Sequence, residues 1–216
     1  MRKVQNENEP LKKIRPKTEN QVEFLRSICE NTVTLCEGPA GTGKTMLAIY
    51  IACEHLLAGK IKEVLITRTI VSCGKDLGSL PGDIDEKTEI YFSAQLEYLE
   101  LFLGRHKLDE YLRFGQIKLL PVEILRGSTF RDCVMICDEV QNLTLQQIIL
   151  FMSRIGMGSR IIMIGDTRQS DTNEGAYSFC LNKLDETDDV GIVRFNKQDI
   201  MRHSIIGNIL EKLEQN

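Results

Sequence analysis

An α/β fold, with a mostly parallel sheet flanked by helices, is predicted for this chain by three observations. Six short β-rich runs alternate with helical stretches. Most of the runs are continuously apolar instead of alternating, the pattern of strands buried on both faces. A glycine-rich turn between the first run and a long apolar helix fits G-x-x-x-x-G-K-[ST] at every fixed position.

Taken in order, residues 1–15 are polar and broken by Pro10, with Pro16 just beyond, which predicts a mobile N-terminal arm ahead of one domain over 16–216. The arm carries Arg2, Lys3, Lys12, Lys13 and Arg15 against Glu7 and Glu9. Two readings stay open for it, modest attraction to phosphate and an ordinary solvated tail. Gln21–Ile28 reads as a helix with Val22, Leu25 and Ile28 on one face. The β-rich runs are Thr32–Cys36, Glu63–Thr67, Ile117–Leu120, Asp132–Cys137, Arg160–Ile164 and Val190–Phe195. Between and after them, helices are predicted over Lys44–Ala58, Asp85–Leu103, Thr144–Met152, Ala176–Leu184 and Arg202–Glu214. Phe92, Leu96, Leu99 and Leu103 form a helical stripe in the second of these. No repeat or linker divides the chain after residue 16.

Composition narrows the function classes. At ~150 residues per domain, 216 residues leave room for one domain or two small ones. Hydrophobic residues at 42% and charged residues at 27% are those of an ordinary globular chain, not a disordered one. A net charge of -4 predicts no bulk affinity for nucleic acid or membranes, although a local patch could supply either. No run approaches the ~18 apolar residues of a membrane span, and the N-terminus lacks the apolar core of a signal peptide. The seven cysteines match no zinc spacing, and several lie in apolar runs. They read as structural thiols of a cytoplasmic protein.

The glycine-rich turn comprises Gly38, Pro39, Ala40, Gly41, Thr42, Gly43, Lys44 and Thr45. Its glycines let successive N–H groups turn inward into an anion-binding nest, and the following helix points its positive end at the same phosphates. Lys44 is expected to reach the β- and γ-phosphates, and Thr45 to offer Mg²⁺ a hard hydroxyl oxygen. The run ending at Cys137 delivers Asp138 and Glu139 to a strand's C-terminal end, where α/β sheets bind ligands. Asp138 is the expected Mg²⁺ ligand and Glu139 the base that orients and deprotonates water. Gly165-Asp166-Thr-Arg-Gln169 follows another buried run. If that strand neighbours the first, Gln169 can sense the γ-phosphate and report hydrolysis to whatever Arg168 or Asp171 touches. Asn196-Lys-Gln-Asp199 spells the guanine-reading N-K-x-D of GTPases, but Gln141 stands where their D-x-x-G switch needs glycine.

With these residues in hand, the chain resembles the PhoH family of P-loop ATPases, whose core is similar to the first RecA-type domain of superfamily-1 helicases. The resemblance covers most of residues 16–210 and rests on four stretches. These are Glu37–Thr45, Gly74–Asp83, Asp138–Asn142 running on to Ser153-Arg-Ile-Gly156, and Asp199–His203. The sequence departs from the family at Val140, Ile90 and Ser128; the last removes an arginine, so no finger role is assigned there.

The resemblance implies an ATP- and Mg²⁺-dependent hydrolase acting on RNA or single-stranded nucleic acid, possible helicase activity included. It implies adenine sensing by Gln21, for which a solvated helix-face position is the alternative. It places Arg68 and Thr69 where related helicases touch the nucleic-acid backbone; a surface charge or a phosphate sensor is the alternative for Arg68. It also implies that Arg202 reaches a nucleotide. A chain with residues for one RecA-like domain needs its second wall, any arginine finger included, from another subunit or a partner, and a homo-oligomeric ring, a hexamer by resemblance, is expected. Arg202 or Arg154 would then face the next subunit's Glu139 edge. The alternatives are an ATP-dependent switch or scaffold without motor activity, a GTPase, and a nucleotide kinase, for which no Arg-rich lid is present.

Overall fold

The computed structural model describes residues 11, 13–69, 90–169 and 175–201. Its strands are β1 (Val33–Glu37), β2 (Glu63–Arg68), β3 (Ile117–Pro121), β4 (Cys133–Cys137), β5 (Arg160–Gly165) and β6 (Val190–Arg194). They form one six-stranded sheet in the order β3-β2-β4-β5-β1-β6, with every pairing parallel. All six runs expected from sequence are strands, with ends moved by a residue or so.

The helices are α1 (Glu19–Glu30), α2 (Lys44–Leu57), α3 (Ser93–Leu103), α4 (Arg105–Arg113), α5 (Leu145–Met152) and α6 (Ala176–Lys183). Side chains alternate across the sheet into two cores. Val134 and Ile136 of β4, with Ile162 and Ile164 of β5, meet α1–α4; Met135, Cys137, Ile161 and Met163 meet α5 and α6. Apolar residues on both strand faces are thereby accounted for. Each fully buried aliphatic or aromatic side chain contributes ~1.5–3 kcal/mol. Helix α2 is buried nearly all round, from Leu47 to Leu56, because it lies between the sheet, α1 and α3.

Several expectations need correction. In α1 the buried face carries Gln21, Phe24, Ser27 and Ile28, while Val22 is 52% exposed and Leu25 only half-buried. In α3 the buried face runs Phe92, Gln95, Leu99 and Phe102, with Leu96 and Leu103 half-buried. Helix α4 was not expected; it presents only Leu108 fully to the core, too little for an apolar period to register. Leu11 and Ile14, inside the expected arm, pack on the core, and residues 1–10 and 12 lie outside the described region. So do residues 85–89 of the second expected helix, the whole of 202–216, and the Gly74–Asp83 stretch.

Cys36, Cys53, Cys133, Cys137 and Cys180 are buried, as core thiols should be, and Cys29 is exposed. Burial pushes the Cys53 and Cys133 thiols up to about 12, which keeps them unreactive. Among the described residues no helix is long and apolar enough to cross a membrane.

Candidate nucleotide site

The C-terminal ends of β1, β5, β4 and β2 point to one side and open into a cleft of about 490 Å³. The first wall is the loop from Gly38 to Thr45. Gly38 has φ +149°, and a Cβ there would sit 2.5 Å from Cβ of Phe195 and 2.7 Å from its carbonyl oxygen. The chain leaving β6 covers the loop too closely for any side chain. Gly43 takes the left-handed conformation and starts α2 without a side-chain cap, so the first-turn N–H groups remain available to an anion. By contrast α1 and α5 are capped by Thr18 and Thr144, the latter in a reciprocal capping box with Gln147.

Lys44 is buried, and its ammonium donates to the carbonyls of Gly38 (2.7 Å) and Pro39 (2.8 Å). Burial pulls its pKa below the ordinary lysine value, against negative groups that include Asp166, Asp138 and Glu139. Thr45 Oγ1 donates to Asp138 Oδ1 at 3.0 Å, which brings the two expected metal ligands together. One hydroxyl and one carboxylate are the hard-oxygen donors that suit Mg²⁺, whose remaining positions are ordinarily filled by phosphate and water. Burial, then the Glu139 charge, push the Asp138 carboxyl above the ordinary range, opposed by hydrogen bonds from Gln95 and Thr45 and by Arg68.

Glu139 has φ 56° and opens a short 3-10 turn over Val140–Asn142. Gln141 Nε2 donates to Glu139 Oε2 at 2.6 Å, while Gln141 Oε1 accepts from the Asp166 N–H at 3.1 Å. The residue that departs from D-x-x-G is thus a brace between the ends of β4 and β5. Gln169 lies in the 3-10 turn after β5 and lines the same cleft. Strand β5 does pair with β1, the condition set for a role of Gln169 near the γ-phosphate.

Gln21 is 3% exposed, which excludes the solvated-face alternative. Its Nε2 donates to the Thr42 carbonyl at 2.9 Å, and its Oε1 accepts from the Lys17 N–H at 2.8 Å. Arg68 turns into the cleft instead of outward, its Nη1 donating to the Tyr91 carbonyl at 3.0 Å. Thr69 is buried, with its hydroxyl donating to Glu123 at 3.0 Å. Neither side chain is placed on an outer face for a nucleic-acid backbone, so Arg68 fits the phosphate-sensor alternative better. Arg154 donates to the carbonyls of Leu150 (3.2 Å) and Ser128 (3.2 Å) and is committed to its own chain. Arg202 lies outside the described residues.

The N-K-x-D pattern is a structural clasp. Asp199 Oδ2 accepts from the Asn196 N–H (2.8 Å) and from Asn20 Nδ2 (2.7 Å), and the Met201 N–H donates to the Gly41 carbonyl at 2.9 Å. Burial would raise the Asp199 pKa, but hydrogen bonds from Asn196, Thr18 and Asn20 outweigh it and leave the carboxyl below its usual range. Asp199→Ala is accordingly expected to lower unfolding free energy by ~1–3 kcal/mol in urea titration, with the ATP/GTP preference unmoved. A variant of parent stability whose nucleotide preference changes would restore the guanine reading.

Sequence reading missed Gln95, whose Nε2 donates to Asp138 Oδ2 at 2.6 Å, and the bracing role of Gln141. It also missed Tyr177, whose buried hydroxyl lies 3.0 Å from the Cys36 carbonyl oxygen and 3.2 Å from that of Met163, tying α6 to β1 and β5. A polar residue at a buried helix spacing was the only available signal.

A six-stranded parallel sheet with its phosphate loop after β1 and an acid pair after β4 defines a P-loop NTPase domain of the RecA-like type. Two solved structures have the same fold: the HK97 bacteriophage large terminase, at TM-score 0.58 and 11% identity over 93% of this chain and 47% of that one; and the large terminase of a thermophilic bacteriophage, at 0.55 and 14% over 94% and 51%. The latter has also been solved with ADP (TM-score 0.52). The chain belongs to the PhoH-like protein family, whose model matches residues 13–214. It is 35% identical over 207 residues to a PhoH-like protein of Bacillus subtilis, 94% of this chain but 65% of that relative's length.

Proposed function

We propose that this chain is a Mg²⁺-dependent ATPase of cytoplasmic location that works on RNA or single-stranded nucleic acid as a homo-oligomeric ring, a hexamer by family likeness. The observation that carries the ATPase half is the convergence of Thr45 and Asp138 at 3.0 Å beside the braced Glu139, in the cleft that Lys44 also lines. The ADP complex of the thermophilic phage terminase supports nucleotide binding on this fold. The nucleic-acid half rests on family resemblance.

In this reading the loop N–H groups and the start of α2 receive the phosphates, and Lys44 exchanges the Gly38 and Pro39 carbonyls for phosphate oxygens. Thr45 and Asp138 hold Mg²⁺, which when bound neutralises charge on the β- and γ-phosphates. Glu139 accepts the proton of the attacking water, with Gln141 fixing its carboxylate. Gln169 watches the γ-phosphate from the end of β5, and Gln21 reads the adenine edge beside Thr42.

The deciding experiment is steady-state ATP and GTP hydrolysis with Mg²⁺, with and without single-stranded RNA, on protein of known oligomeric state. ATP turnover stimulated by RNA is the expected result. Turnover indifferent to RNA would keep the ATPase and remove the nucleic-acid half, and nucleotide binding without turnover would favour a switch or scaffold.

A further inference from the structure

The buried face of α3 runs Phe92, Gln95, Leu99 and Phe102, a helical stripe in which one amide stands among apolar side chains. Gln95 is 2% exposed. Its Nε2 lies 2.6 Å from Asp138 Oδ2, and among the described residues its buried Oε1 has no hydrogen-bond partner. Burying a half-satisfied amide is unfavourable, and an apolar residue at this position would avoid that cost. The amide therefore points to a task other than packing.

The Asp138 carboxylate supplies that task. Its Oδ1 accepts from Thr45 Oγ1 (3.0 Å) and from the Glu139 N–H (3.2 Å), on the side facing the phosphate loop. Its Oδ2 is held from the opposite side by Gln95. A carboxylate held at both oxygens has no freedom to rotate about its Cβ–Cγ bond, so Oδ1 stays directed at the hydroxyl with which it is to share a cation. Hydrogen bonds of this kind, one step beyond a metal's ligands, orient those ligands and raise affinity.

We infer that Gln95 is a positioning residue for the metal ligand Asp138, held at that carboxylate by α3. The inference rests on the reading of Thr45 and Asp138 as the Mg²⁺ ligands. It predicts that α3 contributes to metal affinity although it carries no ligand itself, and that bound metal makes α3 harder to displace from the cleft.

The test uses the whole chain with ADP, and Mn²⁺ as a spectroscopic substitute for Mg²⁺. Paramagnetic resonance of free Mn²⁺ gives the half-saturating metal concentration, and ADP affinity in EDTA is measured separately. Gln95→Met, of similar length but without a donor, should raise the half-saturating Mn²⁺ concentration about tenfold while metal-free ADP affinity stays at the parent value. Leu99→Ala on the same helix face controls for packing: it should lower the melting temperature and leave Mn²⁺ affinity alone. If Gln95→Met misfolds, Gln95→Leu provides the same comparison. Parent Mn²⁺ affinity in a folded Gln95 variant, or an equal loss in Leu99→Ala, overturns the positioning role. A parent protein that takes up no Mn²⁺ with ADP overturns instead the metal reading of Thr45 and Asp138 on which this rests.

Discussion

Glu139→Gln is expected to bind ATP as the parent does and to lower turnover by ~10²–10⁴, the contribution of a positioned base. The substitution keeps size and shape. It also keeps a partner for Gln141, because the oxygen of the introduced amide can still accept from Gln141 Nε2 while Gln141 Oε1 stays on the Asp166 N–H. The backbone at φ 56° is no more strained with Gln than with Glu, so the fold should not respond. What changes is the capacity to take a proton where Glu139 is held, 2.6 Å from its glutamine brace and beside Asp138. Equilibrium binding of a fluorescent ATP analogue, set against single-turnover hydrolysis, separates the two effects. If Glu139→Gln hydrolyses at the parent rate, the base lies elsewhere in the cleft. Asp166 is then the next group to test, because it lines the cleft and its Oδ2 has no partner among the described residues.

The parts of this molecule that sequence makes legible are those where one physical requirement acts alone. Strands buried on both faces need apolar residues throughout, and the central β4 and β5 announce themselves in that way, whereas β3 and β6 at the sheet edges are only partly buried. The phosphate loop needs glycine where the Phe195 backbone presses on Gly38, and the acid pair must follow a buried strand. Reading falters where two requirements share a helix. In α1 the inward face includes Gln21, bound to the Thr42 carbonyl, and Ser27, paired with Thr34 at 3.1 Å. Counting only apolar residues therefore turns that helix toward Val22 and Leu25. In α3 the same error selects Leu96 and Leu103, because Gln95 occupies a core position in order to reach Asp138. In each helix one of the misread positions is a glutamine that contacts the candidate site, where the packing pattern gives way to chemistry. The N-K-x-D stretch fails in the opposite direction: a motif shaped like a guanine reader is a cap joining α1 to the back of the phosphate loop.

Arg202→Ala is expected to cost ~10³–10⁵ in turnover if this arginine is the cation that stabilises the transferring phosphoryl group across a subunit interface. In that role Arg202 would supplement Lys44, which is anchored on the loop side of the cleft. Arg154, the other residue considered for this role, is bound to its own carbonyls at Leu150 and Ser128. Arg68 is the rival within the same chain, since it lines the cleft and its Nε has no partner among the described residues. Mixing variants separates the two. In a head-to-tail ring, Glu139→Gln and Arg202→Ala subunits recreate some interfaces at which an intact Glu139 meets an intact Arg202. Two nearly inactive preparations should therefore regain activity when combined and allowed to exchange subunits. A cation acting within its own chain gives no such recovery: were Arg68 that cation, Arg68→Ala mixed with Glu139→Gln would remain inactive, because no site would then hold both groups. Recovery in the first mixture, with turnover retained in Arg68→Ala alone, assigns the finger to Arg202 of a neighbouring subunit. Failure of the first mixture, with full loss in Arg68→Ala alone, moves the assignment to Arg68 and removes the catalytic reason for a ring.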